Sequence, residues 1–171
     1  MVNYARRRLF RMSWQTQCSR GVTPMRPPWS LPEAQFIEAC HRCHACIEAC
    51  PEGVIVSGDG GFPEVRFDRG GCTFCGMCAQ ACPSGAIDRQ KQATPWHLVA
   101  SISQDCLAKT GVACESCRDV CDVRAIRFTP KLGGWPVPHV DTEACNGCGF
   151  CVSVCPVNAV AMTSTIEEPE E

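Results

Sequence analysis

The sequence predicts an α+β fold made of two small domains in tandem, and three observations lead to that prediction. Sixteen of the 17 cysteines of this 171-residue chain fall into four compact groups. The residues after each group repeat as well, which is typical of one structural unit used several times. A polar segment at residues 88–95 separates the second group from the third, and we expect the domain boundary there.

The cysteine groups share a spacing. Three of them read Cys-x2-Cys-x2-Cys-x3-Cys and are followed by a proline, at Pro51, Pro83 and Pro156. One helical turn joins the last two cysteines of such a group, and the proline ends it. The four groups are Cys40, Cys43, Cys46, Cys50; Cys72, Cys75, Cys78, Cys82; Cys106, Cys114, Cys117, Cys121; and Cys145, Cys148, Cys151, Cys155.

Short strands are expected on both sides of the cysteine groups. Residues 65–68 and 137–141 predict strands that lead into the second and fourth groups. Turns that enter a strand are expected at 51–55, 83–87, 122–126 and 156–160. We therefore divide the chain into a basic, partly flexible arm at 1–30, domains at 31–90 and 91–163, and an acidic tail at 164–171.

The number and spacing of the thiols predict [4Fe-4S] clusters. Three cysteines at positions i, i+3 and i+6 let a loop wrap one cube, and the fourth cysteine binds the other cluster of a pair. Gly76, Gly147, Gly149 and Ala45 leave room for the backbone to approach such a cube. We predict four [4Fe-4S] clusters, with all sixteen grouped cysteines as iron ligands, in two bicluster ferredoxin-like domains.

Two pairings of the groups satisfy the crossed pattern. If neighbouring groups pair, the first cluster takes Cys82 and the second takes Cys50, while in the second domain Cys155 and Cys121 cross in the same way. A nested alternative pairs the first group with the last and the second with the third. Neighbours have shorter connections, which close with less loop entropy and favour the first arrangement.

The third group departs from the pattern. Seven residues separate Cys106 from Cys114, and Asp122 stands where the other groups have proline. The thiol count is unaltered, so a cluster is still predicted, with an exposure and potential of its own.

Other uses of the cysteines fit the pattern less well. Zinc sites normally separate two Cys-x2-Cys pairs by a loop, and a disulfide framework does not suit an odd count with crowded cysteines. Cys18 is interpreted as a bystander in a polar stretch, and His41 and His44 as exposed loop residues that could tune the nearby cluster.

Composition limits the function classes. No stretch approaches the roughly 20 apolar residues of a membrane span, and no secretory segment follows Arg6, Arg7 and Arg8, so a cytoplasmic protein is expected. Cluster binding by deprotonated thiols takes the formal charge of -2 to about -10, which argues against nucleic acid and for a partner with a basic docking face. No nucleophile-base pair or phosphate loop is present, so electron transfer rather than catalysis is predicted.

The chain resembles the NapF family of ferredoxin-type accessory proteins of the periplasmic nitrate reductase system. The resemblance rests on the cysteine groups together with residues 6–10, 26–29 and 60–65 and the widened third group. It implies a cytoplasmic protein that binds the molybdenum-containing catalytic subunit before export and assists its maturation, with the N-terminal arginines at the interface. The alternative is a general electron carrier or the electron-input subunit of another redox complex.

Overall fold

The computed structural model describes residues 24–165 of the chain. Residues 6–8, Cys18 and most of the acidic tail lie outside the described residues. The described part contains five short α-helices, Glu33–Ala39 (α1), Ala45–Glu48 (α2), Met77–Gln80 (α3), Ser116–Asp119 (α4) and Phe150–Ser153 (α5). It contains six short strands, Ile55–Ser57 (β1), Pro63–Val65 (β2), Leu98–Ile102 (β3), Ile126–Thr129 (β4), Val137–Val140 (β5) and Val160–Ser164 (β6). No helix within residues 24–165 is long and apolar enough to cross a membrane.

The strands pair as three separate two-stranded antiparallel sheets. β1 pairs with β2, and β4 pairs with β5, so each half of the chain has a hairpin between its two cysteine groups. β3 pairs with β6 over five residues and joins the two ends of the second half. In the first half the corresponding closure is a single bridge between Ser30 and Ile87. The two halves therefore follow one plan.

Four of the helices are single turns that carry the third cysteine of each group. Cys46, Cys78, Cys117 and Cys151 lie on α2, α3, α4 and α5 and are buried. These helices end before the fourth cysteine of the group, as the proline signal predicts for three of them. The longer α1 was not predicted, and it buries Phe36 completely in the first half.

The strand predictions need one correction. We predicted a strand over 65–68, whereas β2 covers Pro63–Val65. A 3₁₀ turn at Asp59–Gly61 sets the register of the hairpin, in which Ile55 lies opposite Val65. Val65 is therefore the last paired residue of β2, whereas the prediction made it the first residue of the strand. The strand predicted at 137–141 is present as β5. β3 was not predicted, because the polar residues 88–95 before it indicated a domain boundary and no strand.

The apolar core is thin and shares its interior with the thiols. In the first half, Phe36, Val65 and Ile87 are buried together with Cys46 and Cys78. Residues 27–29, which the sequence assigned to the arm, also pack into this core, where Trp29 is 4% exposed. Small domains with so little apolar surface commonly depend on a bound metal group for stability.

Candidate metal centres

The structure brings the sixteen grouped thiols together as four sets, each with three cysteines of one group and the last cysteine of its neighbour. Set 1 is Cys40, Cys43, Cys46 and Cys82, and set 2 is Cys50, Cys72, Cys75 and Cys78. Set 3 is Cys106, Cys114, Cys117 and Cys155, and set 4 is Cys121, Cys145, Cys148 and Cys151. This grouping is the neighbour arrangement and differs from the nested one.

Three of the sets each line a cavity. Set 1, set 2 and set 4 each surround one such cavity. Their other walls are mainly apolar, for example Val54 and Val65 at set 2 and Ala100 and Met162 at set 4. Four thiols around one small apolar hollow are a donor set suited to an iron-sulfur cube, which needs soft sulfur ligands and exclusion of water.

In each set, the thiol of the third cysteine of a group has a strongly raised pKa. Burial, followed by the charge of neighbouring thiols, raises the pKa of Cys46 and Cys117 to about 11 and that of Cys151 to about 12. Burial and the charge of Cys72 likewise raise the pKa of Cys78 to about 12. Such thiols hold their protons until a metal group displaces them, so cluster binding releases protons.

Cys82 is the exception. Burial raises the pKa of its thiol, but hydrogen bonds from the Ser84 hydroxyl and from backbone N–H groups, including those of Ile87 and Ala86, outweigh burial and lower it. The Ser84 oxygen lies 3.6 Å from the Cys82 sulfur. Donors aimed at a sulfur stabilise its anionic form and tune a cluster bound to it. The cysteine spacing did not predict a role for Ser84, although only the second group has serine two residues after its last cysteine.

Backbone donors also reach the sulfurs. The N–H of Phe74 donates to the Cys72 sulfur at 3.4 Å, and the N–H of Ala159 donates to the Cys155 sulfur at 3.2 Å. These bonds depend on loop conformation and have no side-chain signal in the sequence.

The widened loop of the third group closes on itself. The N–H of Thr110 donates to Cys106 O at 3.0 Å, and that of Val112 donates to Leu107 O at 2.8 Å. Lys109 Nζ donates to Ile102 O at 2.6 Å and attaches the loop to the end of β3. The extra residues thus form a compact turn and leave Cys106 buried within set 3.

The proline replacement in the third group places a charge near set 4. Burial raises the pKa of Cys148, and the charges of Cys121, Cys145 and Asp122 raise it further. Asp122 therefore acts on a set whose main loop lies in another group of the sequence.

The first cysteine loop is held by the side chains of Arg42 and His44. Arg42 and His44 have positive φ angles of 55° and 63°, which non-glycine residues seldom adopt. His44 Nε2 lies 3.3 Å from Gly61 O, and the Arg42 guanidinium carbon lies 5.2 Å from the Phe62 ring centre. His41 and His44 are exposed, as the sequence predicted.

Comparison with known proteins identifies the chemistry. The family model described as a 4Fe-4S dicluster domain matches residues 39–86 and 112–159. All cysteines within residues 24–165 are free of disulfides. The fold and the thiol sets therefore define an iron-sulfur protein with two dicluster domains and four [4Fe-4S] clusters, which sets aside the zinc and disulfide alternatives.

Curated relatives define the family more closely. The chain is 46% identical over 138 residues to the ferredoxin-type protein NapF of Haemophilus influenzae, covering 81% of this chain and 78% of that one. It is 40% identical over 159 residues to the ferredoxin-type protein NapF of Escherichia coli K12, covering 93% and 94%. The chain belongs to the NapF family. It is also 33% identical over 156 residues to the methylamine utilization ferredoxin-type protein MauM of Methylorubrum extorquens, covering 81% of this chain and 70% of that one.

Proposed function

We propose that each of the four thiol sets holds one [4Fe-4S] cluster, so that all sixteen grouped cysteines are iron ligands in two tandem ferredoxin-like domains. The observation that carries this is the convergence of four thiols on each of three apolar cavities, together with the packing of Cys155 into the core clusters that contain Cys106 and Cys117 of set 3. We keep the boundary between the domains, 31–90 and 91–163, as part of the same proposal.

The chemical activity proposed for the protein is one-electron transfer rather than catalysis of a substrate reaction. The bound clusters supply the one-electron chemistry. The chain's own groups set how readily they accept charge, through N–H and hydroxyl donors to sulfur, through charges such as Asp122, and through burial. Ferredoxin-type relatives of similar length support this use.

We further propose that the protein acts in the cytoplasm on the molybdenum-containing catalytic subunit of the periplasmic nitrate reductase, before that subunit is exported. Identities of 40% and 46% to NapF proteins over most of the chain support this assignment. The protein would bind the precursor and donate electrons to it, or assist assembly of the precursor's own iron-sulfur cluster. No nucleic acid and no membrane insertion enter this proposal.

The N-terminal arginines are the residues proposed to meet this partner. Arg6, Arg7 and Arg8 form a basic arm on a holoprotein of about -10 charge, so they can contact acidic groups of a partner that the rest of the protein would repel. Removal of residues 1–29 would be a poor test, because Trp29 is buried in the core and its N–H donates to Pro95 O at 2.6 Å. Substitution of Arg6, Arg7 and Arg8 by alanine leaves that packing in place.

The test is anaerobic retention of the catalytic precursor on immobilised holoprotein. We expect the full chain to retain the precursor and the R6A/R7A/R8A variant to retain less, whereas the R11A/R20A variant, which also removes positive charge from the segment before residue 24, binds like the parent. Failure of the full chain to retain the precursor would contradict the maturation function.

The second candidate is a general electron carrier or the electron-input subunit of another redox complex. The 33% identity to a methylamine utilization protein favours it, because that name places a relative outside nitrate metabolism. A carrier should oxidise and reduce repeatedly with a weakly bound partner, whereas a maturation factor should form a complex that survives washing.

A further inference from the structure

The loops of sets 2 and 4 meet across the junction between the two halves of the chain. The N–H of Cys72 donates a hydrogen bond of 2.7 Å to the carbonyl oxygen of Cys148. A cysteine of each loop therefore lies beside a cysteine of the other.

The junction has no room for further atoms. A Cβ added at Gly71 would lie 2.5 Å from the Phe150 ring and 2.7 Å from Cys148 O. A Cβ at Gly149, which has a φ of +81°, would overlap the Phe67 ring. Close backbone approach from both sides is the usual reason for glycine at such points.

Trp96 joins the two sites from the side. Its ring lines the cavity of set 2, and its Nε1 donates to Asn146 O at 3.2 Å. Asn146 in turn lines the cavity of set 4. The ring packs edge-on against Phe67 and Phe74, with ring centres 5.9 and 5.5 Å away. One side chain near the start of the second domain thus contacts the walls of both cavities.

Within each half the two sets are also neighbours. Cys46 of set 1 and Cys50 of set 2 belong to one turn, in which Cys50 N donates to Ile47 O at 3.2 Å. In the second half, Cys117 of set 3 and Cys151 of set 4 are buried in the same core cluster, and the helices that carry them, α4 and α5, are in contact.

We propose that the four sites form one line in the order set 1, set 2, set 4, set 3, and that electrons cross between the domains at the contact of the Cys72 and Cys148 loops. With the clusters bound, each crossing would move one electron between the cluster held by set 2 and the cluster held by set 4, and no bond would form or break. Sets 1 and 3 are then the two ends, where donor and acceptor proteins approach. This inference rests on the proposed ligand sets and gives the order of electron flow through them.

Two adjacent glycines allow a matched test. Gly71→Ala inserts a methyl group between the loops, whereas at Gly70 a Cβ would meet only Val54 Cγ1, at an ordinary 3.9 Å. Both variants and the parent are prepared anaerobically, analysed for iron and labile sulfide, and reduced fully with dithionite. Electron paramagnetic resonance then reports magnetic coupling between reduced clusters, which depends steeply on their separation.

The expected result is that the parent and G70A spectra require coupling between the domains as well as within them. G71A, with about 16 irons per chain, should lose the interdomain part and keep the rest. A G71A protein with full iron content and the parent's coupling would overturn the proposal. If G71A loses iron, the spectrum of the parent protein decides. A parent spectrum that two independent coupled pairs, one per domain, reproduce would overturn the order. A parent spectrum that also requires coupling between the domains would support it.

The same samples separate this inference from the proposed function. Absence of interdomain coupling in a parent protein with four clusters would sink the order of sites and leave the ligand sets standing. A parent protein without iron-sulfur clusters would sink the ligand sets themselves.

Discussion

Cys50 and Cys72 line the same cavity, although they belong to different cysteine groups of the sequence. The charge of Cys50 also contributes to the raised pKa of Cys72, behind burial and against a backbone hydrogen bond from Phe74. The fourth cysteine of one group thus completes the site of the next.

This crossing predicts which variants share a phenotype. Cys50→Ala and Cys72→Ala should each lower the iron content from about 16 to about 12 per chain and remove the same spectroscopic component. Cys82→Ala should remove about the same amount of iron but a different component, because Cys82 belongs to set 1. Anaerobic iron analysis with electron paramagnetic resonance makes the comparison. A Cys50→Ala spectrum that matches Cys40→Ala would refute the crossed sets.

Because the Ser84 hydroxyl lies beside a sulfur of set 1, we expect its removal to shift the reduction potential of the set 1 cluster. Reduction adds negative charge to the cluster and its sulfurs, so a donor 3.6 Å from the Cys82 sulfur favours the reduced state. Ser84→Ala should lower that potential by about 20–60 mV, the equivalent of one neutral hydrogen bond. Redox titration followed by resonance spectra measures it. Ser57→Ala, an exposed serine on β1, serves as the control and should leave every potential unchanged.

We expect removal of the Asp122 charge to shift the reduction potential of the set 4 cluster in the opposite direction. Its carboxylate adds negative charge near Cys148, which disfavours reduction. Asp122→Asn should therefore raise the potential of the set 4 cluster by about 10–40 mV, the scale of an exposed charge interaction. Asp119→Asn removes the same charge from a carboxylate that lies 3.9 Å from Arg118 Nε, and it should act less on set 4. Equal shifts for the two variants would show that Asp122 has no specific effect.

We expect Arg26 to stabilise the first domain. Its guanidinium donates to both carboxylate oxygens of Glu33, at 2.9 and 2.6 Å, and lies 5.0 Å from the Phe36 ring centre. Charge-assisted bonds of this kind contribute about 1–3 kcal/mol.

Arg26→Ala should speed loss of visible absorbance on anaerobic heating by roughly fivefold or more. Arg66→Ala is the matched control, because its side chain is 62% exposed and its nearest carboxylate oxygen lies 3.9 Å away. The two variants losing their colour at one rate would argue against a structural role for Arg26.

The sequence predicted the chemistry of the sites better than their surroundings. Cysteine spacing alone indicated the cluster type and, through loop entropy, favoured the neighbour pairing that the four sets display. It did not predict β3 or α1, because the polar segment at 88–95 hid the start of the second half and short helices give little periodic signal. The hairpin strand at Pro63–Val65 was placed two residues too late for a different reason: the 3₁₀ turn before it fixes the register, and nothing in the cysteine spacing indicates that turn.

The contact between the Cys72 and Cys148 loops, where the two domains meet, could not have been predicted from the sequence. Gly71, Gly147 and Gly149 appear in the sequence as loop glycines, and only the packing of Trp96 and Phe150 shows that two cysteine loops share this space. Contacts between residues so far apart in sequence leave no local pattern, whereas the ligand spacing within one loop does.

The most direct test of the central claim is metal and sulfide analysis of anaerobically purified protein, made on the parent and on Cys18→Ser. We expect about 16 irons and as many labile sulfides per chain in both, with visible absorbance that fades on reduction. A colourless protein, zinc in place of iron, or a loss of iron in Cys18→Ser would contradict the assignment of four clusters to the sixteen grouped cysteines.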